Sequence, residues 1–365
     1  MAAGTYSGQL TVGKSGTSSA TITIQRVRST DLAATRAAGW NSAFDGQVVQ
    51  SVAKGAAGIS IYNGLGSFVT IDGRIISGWK INYSDNSSGV SIDGSAASNV
   101  TFRFIQAWGP GVINQTSDVR GFDLTPSSGS MNNLTMQYCE IGNGGDSGMY
   151  LTLASNALIE HCSFHDAGAV NAATFHPNII YCGKITNSTF RYNSLYNIAV
   201  EGLFFGDPGN SNIQIYGNLF YQGSMAPNSG RGIEFDNAGG GANFSVYNNV
   251  FVGLPLAAMR FSGSSFTNCV VKNNILWQCT LSGAAGVTSD YNFSDTATSE
   301  AHGIGNGTNP FVNSAAFNYQ IVGTIGAKFP CQKGVGLGKP YNIDMSGDTR
   351  PATGAWDIGA YEFAN

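Results

Sequence analysis

Two kinds of short segment alternate along residues 58–276, and this repeat restricts the folds that the chain can adopt. The first kind opens with Gly or another small or polar residue: GISIYNG (58–64), GVSIDG (89–94), GFDLTP (121–126), GMYLTL (148–153), NIIYCG (178–183), GLFFGD (202–207), GIEFDN (232–237) and AMRFSG (258–263). The second kind follows each: FVTIDGRII (68–76), NVTFRFIQA (99–107), NLTMQYCEI (133–141), NALIEHCSF (156–164), NSTFRYNSL (187–195), NIQIYGNLF (212–220), FSVYNNVF (244–251) and CVVKNNIL (269–276). Both kinds alternate apolar and polar residues, which predicts half-buried β-strands.

Alignment of the second kind of segment predicts how the coils stack. It puts these residues in one column, at spacings of 23, 31, 25, 31 and 25 residues: Cys139, Cys162, Asn193, Asn218, Asn249 and Asn274. Coils of this length, with two or three short strands and tight turns, predict a parallel β-helix. Asparagines stacked at an interior turn would hydrogen-bond to the backbone of neighbouring coils.

The predicted fold class is all-β, a single-stranded right-handed parallel β-helix of about ten rungs with irregular lateral loops. One domain is expected over residues 1–365, with 29–57 as a lateral insertion and 280–365 as irregular C-terminal rungs and a cap. In the first column we expect these residues to point inward: Ile59, Ile61, Val90, Ile92, Phe122, Leu124, Met149, Leu151, Ile179, Tyr181, Leu203, Phe205, Ile233, Phe235, Met259 and Phe261.

The six cysteines form no CxxC pair, which argues against a zinc site. Cys139 and Cys162 should lie one rung apart, about 4.8 Å between strands. That separation permits a disulfide, although two buried thiols are the preferred interpretation. The state of Cys279 and Cys331 stays open.

Composition excludes several classes of protein. Charged residues make up only 11% of the chain and the net charge is −4, with scattered Lys and Arg, so nucleic acid is not an expected partner. No run of 18 apolar residues occurs, so no membrane partner is expected either. The N-terminal residues lack the charged and apolar regions of a signal peptide. We interpret them as a start from which a leader, and a first coil, have been removed.

The sequence resembles the pectate-lyase-like right-handed β-helix superfamily, which contains polysaccharide lyases, glycoside hydrolases and phage tailspikes. The stretches that carry the resemblance are AAGTYSGQLTVGKSGTSSATITIQR (2–26), SFVTIDGR (67–74), NNVF (248–251), NNIL (273–276) and the ending DMSGDTRPATGAWDIGAYEF (344–363). The resemblance implies a polysaccharide partner and a secreted, extracellular or virion-associated protein. It also implies a monomer, or a trimer if the protein is tailspike-like.

Long loops are expected before the first-column strands, at 77–88, 107–120, 165–177 and 223–231. The groove between these loops and the strands is the predicted site, because loops on a rigid scaffold carry function. The polar and charged candidates there are Arg120, Asp123, Tyr150, His176, Glu201, Asp207, Arg231, Glu234, Asp236 and Arg260. Trp79, Tyr83 and Trp108 fall in the same loops, where exposed rings would stack on sugars.

Two chemistries fit these candidates, and lyase action on a uronic-acid polymer is slightly favoured. β-Elimination needs a proton-exchanging group, such as His176 or Tyr150, and arginines such as Arg231 to neutralise the substrate carboxylate. Arg120, Asp123, Asp207 and Arg260 would then bind substrate. Known β-helix lyases often use Ca²⁺, so the resemblance also implies that a calcium site is an alternative to no cofactor. The residues considered for it are Asp123, Glu201, Glu234 and Asp236.

The second chemistry is inverting glycoside hydrolysis. Glu234 and Asp236 lie two residues apart on one strand face, about 6.5–7 Å by strand rise, with Glu201 one rung away. Such a spacing suits an acid and a base on opposite sides of a water molecule. A non-catalytic glycan-binding β-helix is the third possibility. The polygalacturonase-type GHG and RIK strings do not occur.

Overall fold

The computed structural model describes residues 1–32, 38–111, 119–167, 177–223, 230–236, 241–262, 266–283 and 285–363. The chain forms two compact units, residues 1–181 and residues 182–365. Each unit contains three parallel sheets, here called sheets 1, 2 and 3. In the part of the chain that the structure describes, no helix is long and apolar enough to cross a membrane.

The N-terminal unit visits sheets 3, 1 and 2 first, and then sheets 3, 1 and 2 again in each later coil. Sheet 1 contains Leu10–Val12, Ala57–Tyr62, Ser88–Asp93, Arg120–Leu124 and Ser147–Thr152. Sheet 2 contains Ile22–Gln25, Val69–Asp72, Val100–Arg103, Thr135–Gln137 and Leu158–Glu160. Sheet 3 contains Gly4–Ser7, Val48–Ser51, Trp79–Asn82, Ile105–Trp108, Glu140–Gly142 and Ser163–His165. Met131–Asn132 pairs with Ala154–Ser155 beside sheet 2, a 3₁₀ turn spans Ser42–Phe44, and the strand Asn178–Gly183 contains the boundary between the units.

The C-terminal unit has the same three-sheet arrangement. Sheet 1 contains Glu201–Phe205, Arg231–Asp236, Ala257–Ser262 and Leu281–Ser282. Sheet 2 contains Thr189–Arg191, Ser211–Tyr216, Gly241–Tyr247, Cys269–Lys272 and Val287–Asp290, and Phe266–Thr267 also pairs with Gly241–Tyr247. Sheet 3 contains Ser194–Tyr196, Leu219–Tyr221, Val250–Val252, Ile275–Trp277 and Phe293–Ser294. An antiparallel hairpin, Phe311–Asn313 and Asn318–Ile321, follows, with a 3₁₀ turn at Ser314–Ala316.

Alternation along the strands builds the core inside the coils. Successive strands pair in register, so that Ile59 stands opposite Val90 and Phe122 stands opposite Met149. These four side chains are fully buried. Burial of each contributes roughly 2 kcal/mol of hydrophobic stabilisation. The predicted parallel β-helix and its inward columns are therefore confirmed, with one exception.

The exception is the strand Asn178–Gly183. Ile180 and Cys182 are buried, whereas Tyr181 is partly exposed and its ring stacks on Tyr150 at 4.6 Å. The prediction that Ile179 and Tyr181 both point inward is thus wrong for Tyr181. The strand is displaced by one residue in the alignment, and a one-residue shift moves alternate side chains to the opposite face.

Two of the segments predicted to be long loops contain strands of sheet 3 instead. Residues 77–88 contain the strand Trp79–Asn82, and the start of 107–120 belongs to Ile105–Trp108. The segment 29–57, expected to be a lateral insertion, contributes Val48–Ser51 to the same sheet. Most of the other two loops, 165–177 and 223–231, lies outside the described residues.

The asparagine column forms a buried hydrogen-bonded ladder between sheets 2 and 3. Asn218 donates from its side-chain amide to Asn249 Oδ1 at 3.0 Å and to the carbonyl oxygens of Phe190 and Tyr216. It accepts from both the backbone and the side-chain amide of Asn193. Each amide thereby satisfies backbone groups that would otherwise be buried without a partner.

The cysteines at the equivalent turn of the N-terminal unit are thiols, which supports the preferred interpretation. The backbone N–H of Cys139 donates to Cys162 Sγ at 3.4 Å, and both side chains are buried. Cys279 and Cys331 are also buried thiols.

The C-terminal residues pack along the outer face of sheet 3. Ile358 and Ala360 join an apolar cluster with Val250, Ile275 and Phe293. The fully buried Arg350 fastens this segment: it donates to Glu362 Oε2 at 2.8 Å and to the carbonyl oxygens of Asp357 and Gly359. A buried guanidinium requires such partners, because unpaired charge is costly to bury.

We expect Asn218→Ala to lower the free energy of unfolding by about 3 kcal/mol, because it leaves several buried polar groups without partners. The control is Asn212→Gly in a parallel asparagine ladder on the surface, where the Asn212 side chain donates to Asn187 and the backbone φ is 55°. Glycine tolerates that backbone conformation, so the control should cost under about 1 kcal/mol. Urea unfolding measures both; equal losses would contradict a structural role for the buried ladder.

Candidate functional site

Strand register brings two glutamates and two arginines together on sheet 1 of the C-terminal unit. Glu201 stands opposite Arg231, and Glu234 stands opposite Arg260. These four residues, which we call the Glu–Arg cluster, were all predicted as site residues. Opposite charges placed on adjacent parallel strands attract one another, so the register itself favours the cluster.

Arg231 joins the two carboxylates of the Glu–Arg cluster. Its Nη1 donates to Glu201 Oε1 at 2.9 Å and lies 2.9 Å from Glu234 Oε2. The latter contact is an ion pair without hydrogen-bond alignment, so Oε2 remains without a hydrogen-bond donor. Arg260 Nη1 lies 3.0 Å from Glu234 Oε1. Both glutamates are buried, whereas the Arg260 side chain is 42% exposed, so the cluster presents guanidinium to the surface.

Glu201 is the residue of the Glu–Arg cluster whose pKa is raised. Burial raises the pKa of its carboxyl to about 7; Glu234 adds to the rise, and Arg231 opposes it. Desolvation and a neighbouring carboxylate both disfavour the ionised form. A carboxyl of this acidity can exchange protons near neutral pH.

A second group of predicted residues meets on sheet 1 of the N-terminal unit. Arg120 Nη1 donates to Asp123 Oδ2 at 3.1 Å, and its guanidinium carbon lies 3.8 Å from the centre of the Tyr150 ring. The Thr125 hydroxyl donates to Asp123 Oδ1. Tyr150 is therefore covered by Arg120 and Tyr181, which leaves its ring faces closed to a sugar.

The remaining polar candidates have different positions. Asp236 is exposed at the end of its strand and accepts from the Ser262 hydroxyl at 2.7 Å. Asp207 follows the strand Glu201–Phe205, and its carbonyl oxygen accepts from Asn210. His176 lies outside the described residues.

The aromatic candidates are not exposed loop residues. Trp79 is fully buried within sheet 3, and Tyr83 is only 3% exposed, so neither ring can stack on a sugar. Trp108 ends a sheet 3 strand, with Lys80 Nζ 5.0 Å from its ring centre and His165 packed against it. The prediction failed because the sheet 3 strands of Trp79 and Trp108 are only four residues long and lie at or beyond the ends of the aligned segments 68–76 and 99–107.

Sequence reasoning did not assemble a second titratable cluster, on sheet 3 of the N-terminal unit. His165 Nδ1 lies 2.6 Å from Asp166 Oδ2, and Nε2 lies 3.3 Å from Glu140 Oε1. Burial alone would lower the pKa of His165, but hydrogen bonds and charge from Asp166 and Glu140 raise it to about 9. Gly142 makes room for the histidine ring, since a Cβ there would lie 2.5 Å from its Cε1. The contact follows from the strand register, which places Gly142 opposite His165.

The proposed calcium ligands do not form a metal site. No group of three or more His, Cys, Asp or Glu side chains among the described residues could hold a metal ion. Glu201 and Glu234 already pair with arginines, and Asp123 pairs with Arg120 in the other unit. A hard cation needs six to eight oxygen ligands, which this arrangement does not offer.

Replacement of Glu201 by Gln should alter how stability depends on pH. The folded-state pKa of Glu201 is about 7, above its ordinary value of 4.5, so the wild-type protein loses stability as pH rises through this range. Relative to Glu201→Gln, that loss should be on the order of 2 kcal/mol. Denaturant unfolding at pH 4.5 and at pH 7 measures this loss of stability, with Lys328→Gln as a surface control. Parallel profiles for wild type and Glu201→Gln would contradict the assignment.

Replacement of His165 by Gln should act in a different pH window. The folded-state pKa of about 9 lies above the ordinary value of 6.5, so the stabilisation is fully present below 6.5 and is lost as pH rises through 9. The advantage of wild type over His165→Gln should shrink by an amount on the order of 2 kcal/mol across that window. Thermal unfolding across the window measures it; a constant difference would refute the ion pairing.

Comparison with known proteins identifies the family. No curated protein matches the chain. A pectate lyase, Pel9A, has a solved structure that matches 99% of this chain and 86% of its own at 14% identity, with a TM-score of 0.58. The A-module of the mannuronan C-5 epimerase AlgE6 from Azotobacter vinelandii matches 69% of this chain and 84% of its own at 14% identity, with a TM-score of 0.37.

A tailspike protein from Escherichia coli O157:H7 bacteriophage CAB120 matches 75% of this chain and 36% of its own at 12% identity, with a TM-score of 0.37. The family model described as a right handed beta helix region matches residues 55–276, more than half of the chain. This match agrees with the observed fold, in which parallel strands stack in register in three-sheet coils. The chain belongs to the right-handed parallel β-helix family.

Proposed function

We propose that the protein is an extracellular polysaccharide lyase that acts on a uronic-acid-containing polymer at the Glu–Arg cluster. The observation that carries the proposal is the pairing of a buried carboxyl of pKa about 7, Glu201, with the partly exposed guanidinium groups of Arg231 and Arg260. These are groups that can exchange a proton and groups that can bind a carboxylate.

The cluster supplies the parts of a β-elimination. Arg260, and Arg231 behind it, would bind the uronate carboxylate and favour the negative charge that develops when the C5 proton leaves. Ionised Glu201 would take that proton. The C5–H electron pair then forms the C4–C5 double bond, the C4–O bond breaks, and Glu201 returns the proton to the leaving oxygen. Glu234 would hold Arg231 and Arg260 in position.

Inverting hydrolysis is less well supported. Glu201 and Glu234 both contact one nitrogen of Arg231, which holds their carboxyl groups closer together than the roughly 6.5–9.5 Å of an inverting pair. Glu234 and Asp236 retain the strand spacing, but Glu234 is buried and its carboxylate already contacts Arg231 and Arg260.

One observation favours a non-catalytic glycan-binding protein as the second candidate. Glu201 and Glu234 are each at least 95% buried and already paired with arginine, as they would be if they only held Arg231 and Arg260 for ligand binding. Activity and binding assays on the same preparations separate the two functions.

We expect the full chain to release unsaturated products from polygalacturonate or alginate, detected by ultraviolet absorbance. Glu201→Gln should lower kcat by about 100-fold or more, because it removes the proton-exchanging group. Arg260→Ala should mainly raise KM, because it removes a carboxylate-binding group. Lys328→Gln, which removes an exposed charge elsewhere, should leave both constants unchanged.

A parallel assay of reducing ends distinguishes the alternatives. Reducing ends without unsaturated products would replace the lyase by a hydrolase. Binding of these polymers without any product, lost in Arg260→Ala, would favour the glycan-binding protein.

A further inference from the structure

Sheet 1 of the N-terminal unit carries a polar cavity of about 350 Å³ on its outer face. The register builds its floor as a small lattice. Ser60 stands opposite Ser91, which stands opposite Asp123, and these three residues line the cavity together with Asp93. Tyr62 stands opposite Asp93 on the neighbouring strand and lies beside the cavity lining. Residues two apart on a strand share a face, so all five side chains belong to one surface. We call this surface the serine–aspartate groove.

The serine–aspartate groove contains a polar group without a partner. Ser60 is one of the residues that line the cavity, and it is only 1% exposed. Its hydroxyl has no hydrogen-bond partner among the described residues. A buried hydroxyl without a partner costs free energy, and a ligand that bonds to it would recover that cost. This is the observation that indicates a ligand and not merely a solvated surface.

The rim of the groove offers complementary chemistry. Tyr62 is 50% exposed beside Asp93, which is also exposed. An exposed phenol ring provides a flat apolar surface with a polar tip, and carboxylates accept hydrogen bonds from neighbouring hydroxyl groups. An apolar face combined with a few oriented polar groups is typical of sites for small polar ligands.

The charges favour a neutral ligand over a uronate. Asp93 and Asp123 line the cavity, and the arginine there, Arg120, is already paired with Asp123. An additional carboxylate would face these aspartates, whereas sugar hydroxyls would donate to them. We propose that the serine–aspartate groove binds a neutral pyranose unit of a glycan, with its ring on Tyr62 and its hydroxyls on Ser60, Ser91 and Asp93.

This inference does not depend on the proposed lyase activity. The groove shares no residue with the Glu–Arg cluster, and it predicts binding, not cleavage. Its selectivity for neutral sugars also differs from the selectivity of the cluster for uronates.

Titration calorimetry on the full chain tests the proposal, with hexasaccharides of glucose, galactose and mannose, and with hexagalacturonate, as probes. At least one neutral hexasaccharide should bind. Tyr62→Ala should weaken that binding at least tenfold, and Ser91→Leu, which fills the groove, should abolish it. Tyr138→Ala is the matched control, because Tyr138 is 39% exposed and lies outside the groove, and it should leave the dissociation constant unchanged.

The variant Ser60→Ala separates a ligand-binding role of this hydroxyl from a structural role. It removes the partnerless hydroxyl, so the Tm should stay the same or rise while the affinity falls about fivefold or more. Glu201→Gln should not change neutral-sugar binding, so loss of lyase activity and loss of this site are distinguishable. The proposal is overturned if no neutral hexasaccharide binds, if hexagalacturonate binding instead depends on Tyr62 and Ser91, or if Ser60→Ala binds as wild type does.

Discussion

In-register pairing of parallel strands is the constraint on which the other features of each unit depend. Side chains alternate along a strand, so a fixed register superposes inward residues on inward residues and outward residues on outward ones. Within each unit the inward columns form the core. The register also places Asn218 and Asn249 at equivalent turns, where their amides meet the backbone groups that a coil leaves inside. A slip of one residue would disrupt both arrangements together.

The same register creates chemistry from residues that are far apart in sequence. Glu201 and Arg231 lie 30 positions apart but share an ion pair, because they begin adjacent strands. Glu234 and Arg260 meet for the same reason. Had one column placed only glutamates on neighbouring strands, repulsion would have opposed the pairing. Charge complementarity between strands and the unusual acidity of Glu201 are therefore consequences of one geometric rule.

The sequence predicted the features that depend on the repeat. Opening small residues and the period of two located the sheet 1 strands, and with them the outward positions of Asp123, Glu234 and Arg260. The failures occurred where that signal was weak. Trp79 lies in a four-residue strand between the aligned segments 68–76 and 89–94, so this buried sheet 3 strand was mistaken for a loop. In Asn178–Gly183 nearly every residue is buried, so alternation could not fix which face Tyr181 occupies.

The burial of an outward side chain could not be derived from the repeat, because it depends on what covers a residue as well as on its column. Glu234 and Asp236 point to the same face of one strand, yet Glu234 is buried between arginines and Asp236 is exposed. Equivalent columns also differ between the units. Serines and aspartates occupy sheet 1 around Ser60, while glutamates and arginines occupy it around Glu234. Because each coil contacts only its neighbours, outward residues can change without altering the core, so surfaces of different charge can occur on the same type of coil.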